Sequence, residues 1–188
     1  QLSETPQISA AISDFSDEQL QQMVQRYTFR YFWDFADPLT GLAYERSNDK
    51  RADCITTGGS GFGVMGIVAG VRNGFVTRPE AVARLTKIVG ALEKLPRFHG
   101  AWAHWYNTRT GQPYHFSEKD NGGDLVETAF LVQGLLAAQG YFDGNDAAEK
   151  ALRDRIEQLW REVEWSHYTQ GQNALYWHWS PDYGFAMN

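Results

Sequence analysis

Two stretches of this 188-residue chain carry the same ordered set of features, and that internal repeat restricts the architecture more than any single motif. Phe32-Trp33-Asp34 leads to Thr40-Gly41 and Tyr44; about 70 residues on, Trp105-Tyr106-Asn107 leads to Thr110-Gly111 and Tyr114. Each stretch then reaches a glycine pair, Gly58-Gly59 and Gly122-Gly123, at the head of an apolar segment. A third copy starts near Trp165 and puts Tyr176-Trp177-His178-Trp179 where Trp102 to Trp105 stood. A unit of helix, aromatic loop, glycine pair and second helix is an αα-hairpin that cannot bury both of its faces alone. Such units stack into an open solenoid or close into a ring, and six of them at about 65 to 75 residues each need roughly 400 residues. The expectation is an all-α chain that forms part of such an array, with the remaining half supplied by missing sequence or by another chain.

Local signals place the helices. Residues 1–15 are polar and Ser-rich and read as a loose lead-in, so the domain is expected over 16–188. Ser16 with Gln19 three positions on marks a helix start, and Leu20, Val24, Tyr27 and Tyr31 recur at helical spacing. A second helix is expected over about 59–75. A third follows Thr77, with Pro79 in its first turn and Glu80 completing a capping box. Two more are expected over about 124–142 and 146–164, the latter led by Asp146.

At 43% apolar and 14% aromatic residues the chain can bury a core, and its formal charge of −6 without a Lys/Arg cluster argues against nucleic acid or an anionic membrane as partner. Cys54 is alone, which excludes an intramolecular disulfide. No apolar run approaches the roughly 20 residues of a membrane helix, so no membrane insertion is expected. The chain begins with Gln1, a weak pointer to a processed, exported product.

Gly61-Phe62-Gly63-Val64-Met65-Gly66 satisfies the letters of the dinucleotide fingerprint, but no hydrophobic strand precedes it and no βαβ pattern follows. The spacing of Gly59, Gly63, Gly66, Gly70 and Gly74 places them instead along one helical face. Each glycine costs up to ~1 kcal/mol against Ala inside a helix, so the stripe calls for a compensating close approach by another helix or a ligand.

Asp120-Asn121-Gly122-Gly123-Asp124-Leu125-Val126-Glu127 gathers three acids at one helix start. Asp120 and Asp124 can be explained as caps favoured by the helix dipole. Glu127 falls beyond the positions where capping rewards an acid. Aligning Gly59 with Gly123 sets Thr56, Ser60 and Gly63 opposite the three acids, so the other copy starts its helix without them. Glycoside cleavage needs one carboxylic acid at the leaving oxygen and a second group across the sugar. Asp124 and Glu127, at i and i+3 with Cβ atoms about 5–6 Å apart, share a role more easily than they flank a sugar. Asp182 is the candidate opposing group within the chain, and an acid beyond Asn188 is an equal alternative.

Sugar rings present apolar faces between rims of hydroxyls, and the loops offer the matching mixture: Trp102, His104 and Trp105 beside one glycine pair, and Tyr176, Trp177, His178, Trp179 and Tyr183 near the end. The competing reading of each aromatic is core. The five histidines show no metal spacing, and no metal or cofactor is expected. Arg46 and Arg51 are the basic candidates near the first aromatic loop.

The runs Tyr31-Phe32-Trp33-Asp34-Phe35, Ile55 through Gly63, Phe98-His99-Gly100-Ala101-Trp102, Asp120 through Thr128 and Tyr176 through Gly184 resemble the glycoamylase-like domain family, with coverage from about Asp17 to Asn188. The family includes bacterial endo-β-1,2-glucanases and a related domain of cyclic β-1,2-glucan synthases. The resemblance implies an (α/α)6 toroid with a central sugar cleft and glycoside hydrolysis by inversion, with the family acids matching Asp120, Asp124 and Glu127. It also implies a continuation past Ala186-Met187-Asn188 into a Trp-Asn-Glu-like segment. The expectation is a bacterial, periplasmic or secreted hydrolase of an oligo- or polysaccharide, β-1,2-glucan first, with Arg46, Trp102, His104, Trp105, Trp177, His178, Trp179, Asp182 and Tyr183 on the substrate. The rivals are a polysaccharide lyase on the same toroid and a glycan-binding module without catalysis.

Overall fold

The computed structural model describes residues 14–47 and 53–187; most of the expected lead-in, and Arg51, lie outside the described residues. The three strongest cap signatures each start a helix. Ser16 and Thr77 form reciprocal capping boxes with Gln19 and Glu80, heading α1 (Asp17–Trp33) and α3 (Arg78–Leu92), and Asp146 caps α5 (Ala147–Arg161). Between them lie α2 (Thr57–Arg72) and α4 (Leu125–Tyr141). No helix among the described residues is long and apolar enough to cross a membrane.

The chain is helix-rich, not purely helical, because short strands tie the loops to the helix starts. A three-stranded sheet joins β1 (Cys54–Thr56), β4 (Trp105–Asn107) and β5 (Pro113–Tyr114), with Thr56 opposite Trp105. β2 (Arg97–Phe98) and β3 (Ala101–Trp102) form a hairpin. β6 (Gly123–Asp124) pairs with β7 (His178–Trp179), Asp124 opposite His178.

α2 and α4 are apolar nearly all round, whereas α5 is strongly amphipathic, as expected of a helix with one face on the core and one in water. α2 and α4 pack in parallel at close range. A Cβ on Gly61 would collide with the Phe130 carbonyl and Leu131 backbone, and one on Gly134 with the Gly61 backbone. The closest approach therefore falls at Gly61 and Gly134, outside the predicted stripe. Of the stripe, Gly63 and Gly66 receive the ring of Phe32 and Gly70 that of Phe29, both from α1. This shifts the face expected for α1, of which only Leu20 and Tyr31 are half-buried. Phe29 is its buried residue, while Val24 and Tyr27 are exposed, because a glycine face leaves a trough that only large rings fill. Gly59 meets only Thr56, and Gly74 belongs to the turn after α2 with φ +70°. The core runs from Val64 and Ile67 through Leu85 and Leu92 to Leu131, Leu135 and Ile156, with Trp102 and Tyr106 wholly enclosed.

The repeat is real in three dimensions, but in a different register. Thr57 N–H donates to the His104 carbonyl as Leu125 N–H donates to that of Trp177, and the Ser60 hydroxyl accepts from Ala43 N–H as that of Thr128 accepts from Trp102 N–H. These bonds align the caps, Thr56 with Asp124 and Gly59 with Glu127, not one glycine pair with the other. The helix start, a fixed hydrogen-bonding event, sets the register.

Candidate active site

Parallel packing brings the N-termini of α2 and α4 side by side, and with them two sets of backbone N–H groups. Asp124 caps its own helix: Oδ1 accepts from Glu127 N–H at 3.0 Å. Its second oxygen, Oδ2, accepts from Trp177 Nε1 at 2.9 Å and lies 3.5 Å from His104 Nδ1. Capping thus occupies one oxygen of Asp124 and the loops occupy the other. Thr56, the counterpart cap on α2, makes no side-chain cap bond. Glu127 reaches across instead, Oε2 accepting from Gly58 N–H at 2.8 Å, and Oε1 stands 3.7 Å from His104 Nε2. A Cβ at Gly58 would strike the Glu127 carboxylate, so a side chain there would push the acid out of this position.

His104 lies between the two acids, one ring nitrogen toward each. Burial alone would lower its pKa, but the Asp124 contact and the charges of Glu127, Asp124 and Asp120 prevail and raise it. The Glu127 carboxyl is likewise raised. Burial is the main cause, and the charges of Asp124 and Glu45 add to it, against the opposing pull of His104 and Gly58 N–H. A partly buried acid that holds its proton above the ordinary carboxylate range is what proton donation to a leaving oxygen needs.

Around this pair the expected substrate residues divide. Trp177 is 41% exposed with its indole nitrogen fixed on Asp124, leaving ring surface open. Trp105 is buried, donates Nε1–H to Glu45 Oε2 at 2.8 Å and packs against His104 and the exposed Phe116. Arg46 is exposed and pairs with Glu45 at 3.2 Å. Asp120 is buried; its Oδ1 lies 3.1 Å from His178 Nε2, and its Oδ2 has no partner among the described residues. Its charge acts on His104, so it stands near the pair although it does not bond to it.

Two expected substrate contacts need correction. Trp102 and His178 are fully enclosed and present no surface to a ligand. Trp102 instead donates to the Leu92 carbonyl, and the His178 ring to Asp120 or accepts from Gly122 N–H. Asp182 accepts from the Asn121 amide, and the exposed Tyr183 donates to Glu118 at 2.7 Å, so both brace the 117–121 loop. Trp179 is half-buried against His99 and His167. Sequence reasoning overlooked Glu45 and Phe116, and took Gly58 only as a marker of the repeat. The available signals were an acid in an aromatic loop and a glycine in a helix's first turn.

Residues 24–157 match the family described as "Protein of unknown function (DUF3131)". Over 184 residues the chain is 50% identical to an exo β-1,2-glucooligosaccharide sophorohydrolase (non-reducing end) of Parabacteroides distasonis, covering 96% of this chain and 25% of that protein. It superposes with TM-score 0.88 on the endo-β-1,2-glucanase of Chitinophaga pinensis in complex with sophorotriose and glucose, at 47% identity over 93% of this chain and 43% of that one. A β-1,2-glucanase structure from Parabacteroides distasonis matches with the same TM-score at 51% identity, again over 93% of this chain and 25% of the other. The chain thus spans a quarter to under half the length of these relatives. By profile the chain belongs to the DUF3131 family, and in sequence and superposition it fits part of a glycoamylase-like domain.

Proposed function

We propose that this chain contributes half of the catalytic cleft of a glycoside hydrolase that cleaves β-1,2-linked glucan. The observation that carries this reading is the Glu127 carboxyl. It is anchored by Gly58 N–H, flanked by His104 and Asp124, and raised in pKa by burial, at the mouth of two helices. In a chain about half identical to proteins named for β-1,2-glucan hydrolysis, that acid is well suited to protonate a glycosidic oxygen.

Glu127 donates its proton to the leaving oxygen as the C1–O bond breaks, water adds at C1, and a second carboxylate takes the proton released by that water. Asp124 fixes the position of Glu127 N–H and of His104, and shares the acid's side of the sugar. Asp182 is committed to Asn121, so the opposing base is assigned to a segment beyond the described residues. Trp177 and Phe116 offer ring surface to the sugar faces. The reaction is taken to invert the anomeric centre.

The complete architecture is taken to be an (α/α)6 toroid. Supporting this, α2 and α4 still expose Phe62, Val126 and Phe130, apolar surface suited to further inner helices. The test is reducing-sugar release by the full-length protein from linear β-1,2-glucan and from starch, with the product anomer followed by proton NMR. Release from β-1,2-glucan alone, with inversion, is expected; equal release from starch, or none from either, contradicts the assignment.

A further inference from the structure

The residues 97–102 and 164–167, remote in sequence, meet at a tip that the glucan chemistry does not use. His99 and Gly100 form the two-residue turn of the β2–β3 hairpin with φ +48° and +77°. That left-handed pair is the type for which Asn-Gly is the commonest choice. Gly100 is wedged against the Glu162 carbonyl and Val163 with no room for a side chain, so the tip lies on the end of α5. Glu164 N–H donates to the His99 carbonyl at 3.0 Å, and His167 N–H to the Glu164 carbonyl at 2.9 Å. This locks three side chains of metal-ligand type onto one spot.

We propose that His99, Glu164 and His167 form a binding site for one divalent transition-metal ion of the zinc class, which staples the hairpin to the end of α5. One donor atom from each of the three lies within 4.8 Å of the others. His99 Nδ1 is 3.0 Å from Glu164 Oε2, and the two imidazoles stack with centroids 3.4 Å apart at 14°. His167 Nε2 is buried without a partner among the described residues, which a nitrogen stripped of water does not tolerate for nothing. The edge of Trp179 and the ring of Phe185 close the apolar side.

The donor set decides the ion. Two imidazole nitrogens and one carboxylate suit zinc and its neighbours, not magnesium or calcium, which take oxygen ligands. Tetrahedral bonds of about 2.0–2.1 Å require donors roughly 3.3 Å apart. Binding therefore requires the two stacked rings to turn about χ2, a torsion that is broad for histidine, until a nitrogen of each faces the ion. Glu164 is 60% exposed at its side chain, giving an entry path and leaving a fourth position for water. Sequence spacing linked no two histidines because His99 and His167 come from different loops. Gly123, which precedes Asp124, is packed against Phe98 and Ala101 of the stapled hairpin and against the hydroxyl of Tyr168, the residue after His167.

The test uses the full chain stripped with EDTA and titrated with zinc chloride, by calorimetry and by thermal melting. Wild type is expected to bind one equivalent and to melt at higher temperature with zinc. His99→Asn, which suits the left-handed turn, His167→Gln and the surface change Glu164→Gln are each expected to weaken binding by about tenfold or more. His115→Gln, at an exposed histidine elsewhere, is expected to bind like wild type. Absence of zinc binding in wild type overturns the proposal, as does wild-type affinity in the His99→Asn/His167→Gln double variant.

Discussion

The carboxylate of Glu127, in the first turn of α4, accepts the backbone N–H of Gly58, in the first turn of α2, at 2.8 Å. One side chain therefore completes the start of a neighbouring helix and places an acid where two helix N-termini meet. The missing side-chain cap at Thr56 and the missing side chain at Gly58 are both explained by this bond.

That arrangement makes Glu127 costly to the fold. A carboxyl raised by burial stabilises the folded state fully below its unfolded value near 4.5, and this contribution is lost as pH rises through the folded value. Glu127→Gln keeps an acceptor for Gly58 N–H and removes the buried charge. It is expected to be more stable than wild type at pH 8, by about 0.5–2 kcal/mol, with the difference gone near pH 4. Urea unfolding at the two pH values checks this; a variant less stable at pH 8 contradicts it.

His104 carries the opposite dependence. Its raised pKa means that the paired imidazolium stabilises the fold fully below 6.5, and that this contribution fades as pH rises through the folded value. His104→Gln is expected to melt below wild type at pH 6, with the gap narrowing by pH 9. A gap that widens toward alkaline pH refutes the pairing of His104 with Asp124 and Glu127.

The parallel helix contact has no slack at Gly61 and Gly134. Either one changed to Ala sets a methyl against backbone and is expected to destabilise by roughly 3 kcal/mol, the upper end for overpacking. Gly140→Ala on the same helix α4, where a Cβ meets nothing within 4 Å, is expected to be neutral or stabilising. Denaturant midpoints of the three variants give the comparison, and a Gly61→Ala protein as stable as wild type contradicts the described packing.

What the sequence revealed and what it hid follow from range. The caps at Ser16, Thr77 and Asp146 are local chemistry, complete within four residues, and they appear where expected. The acid cluster was legible as three acids at one helix start, but Glu127 does not lie beyond the capping positions: α4 starts after Asp124 and puts Glu127 in its first turn, where the helix dipole favours an acid. The repeat was visible, but its register was not: glycine pairs caught the eye, whereas the hydrogen bonds at Thr57 and Leu125 align the caps. The fates of Trp102 and His178 were hidden, since an aromatic in a loop reads alike whether it meets sugar or, as these do, the core. Glu45 was missed because its importance lies in the Trp105 indole, 60 residues away in sequence.

The role of Glu127 as proton donor is tested most directly by comparing two substrates with Glu127→Gln in the full-length protein. On linear β-1,2-glucan, whose leaving alcohol needs a proton, kcat is expected to fall by about 10²–10⁴-fold. On a dinitrophenyl β-sophoroside, whose leaving phenolate needs none, kcat is expected to stay within about tenfold of wild type. Equal loss on both substrates, or full activity on the glucan, contradicts the assignment of Glu127 as the acid.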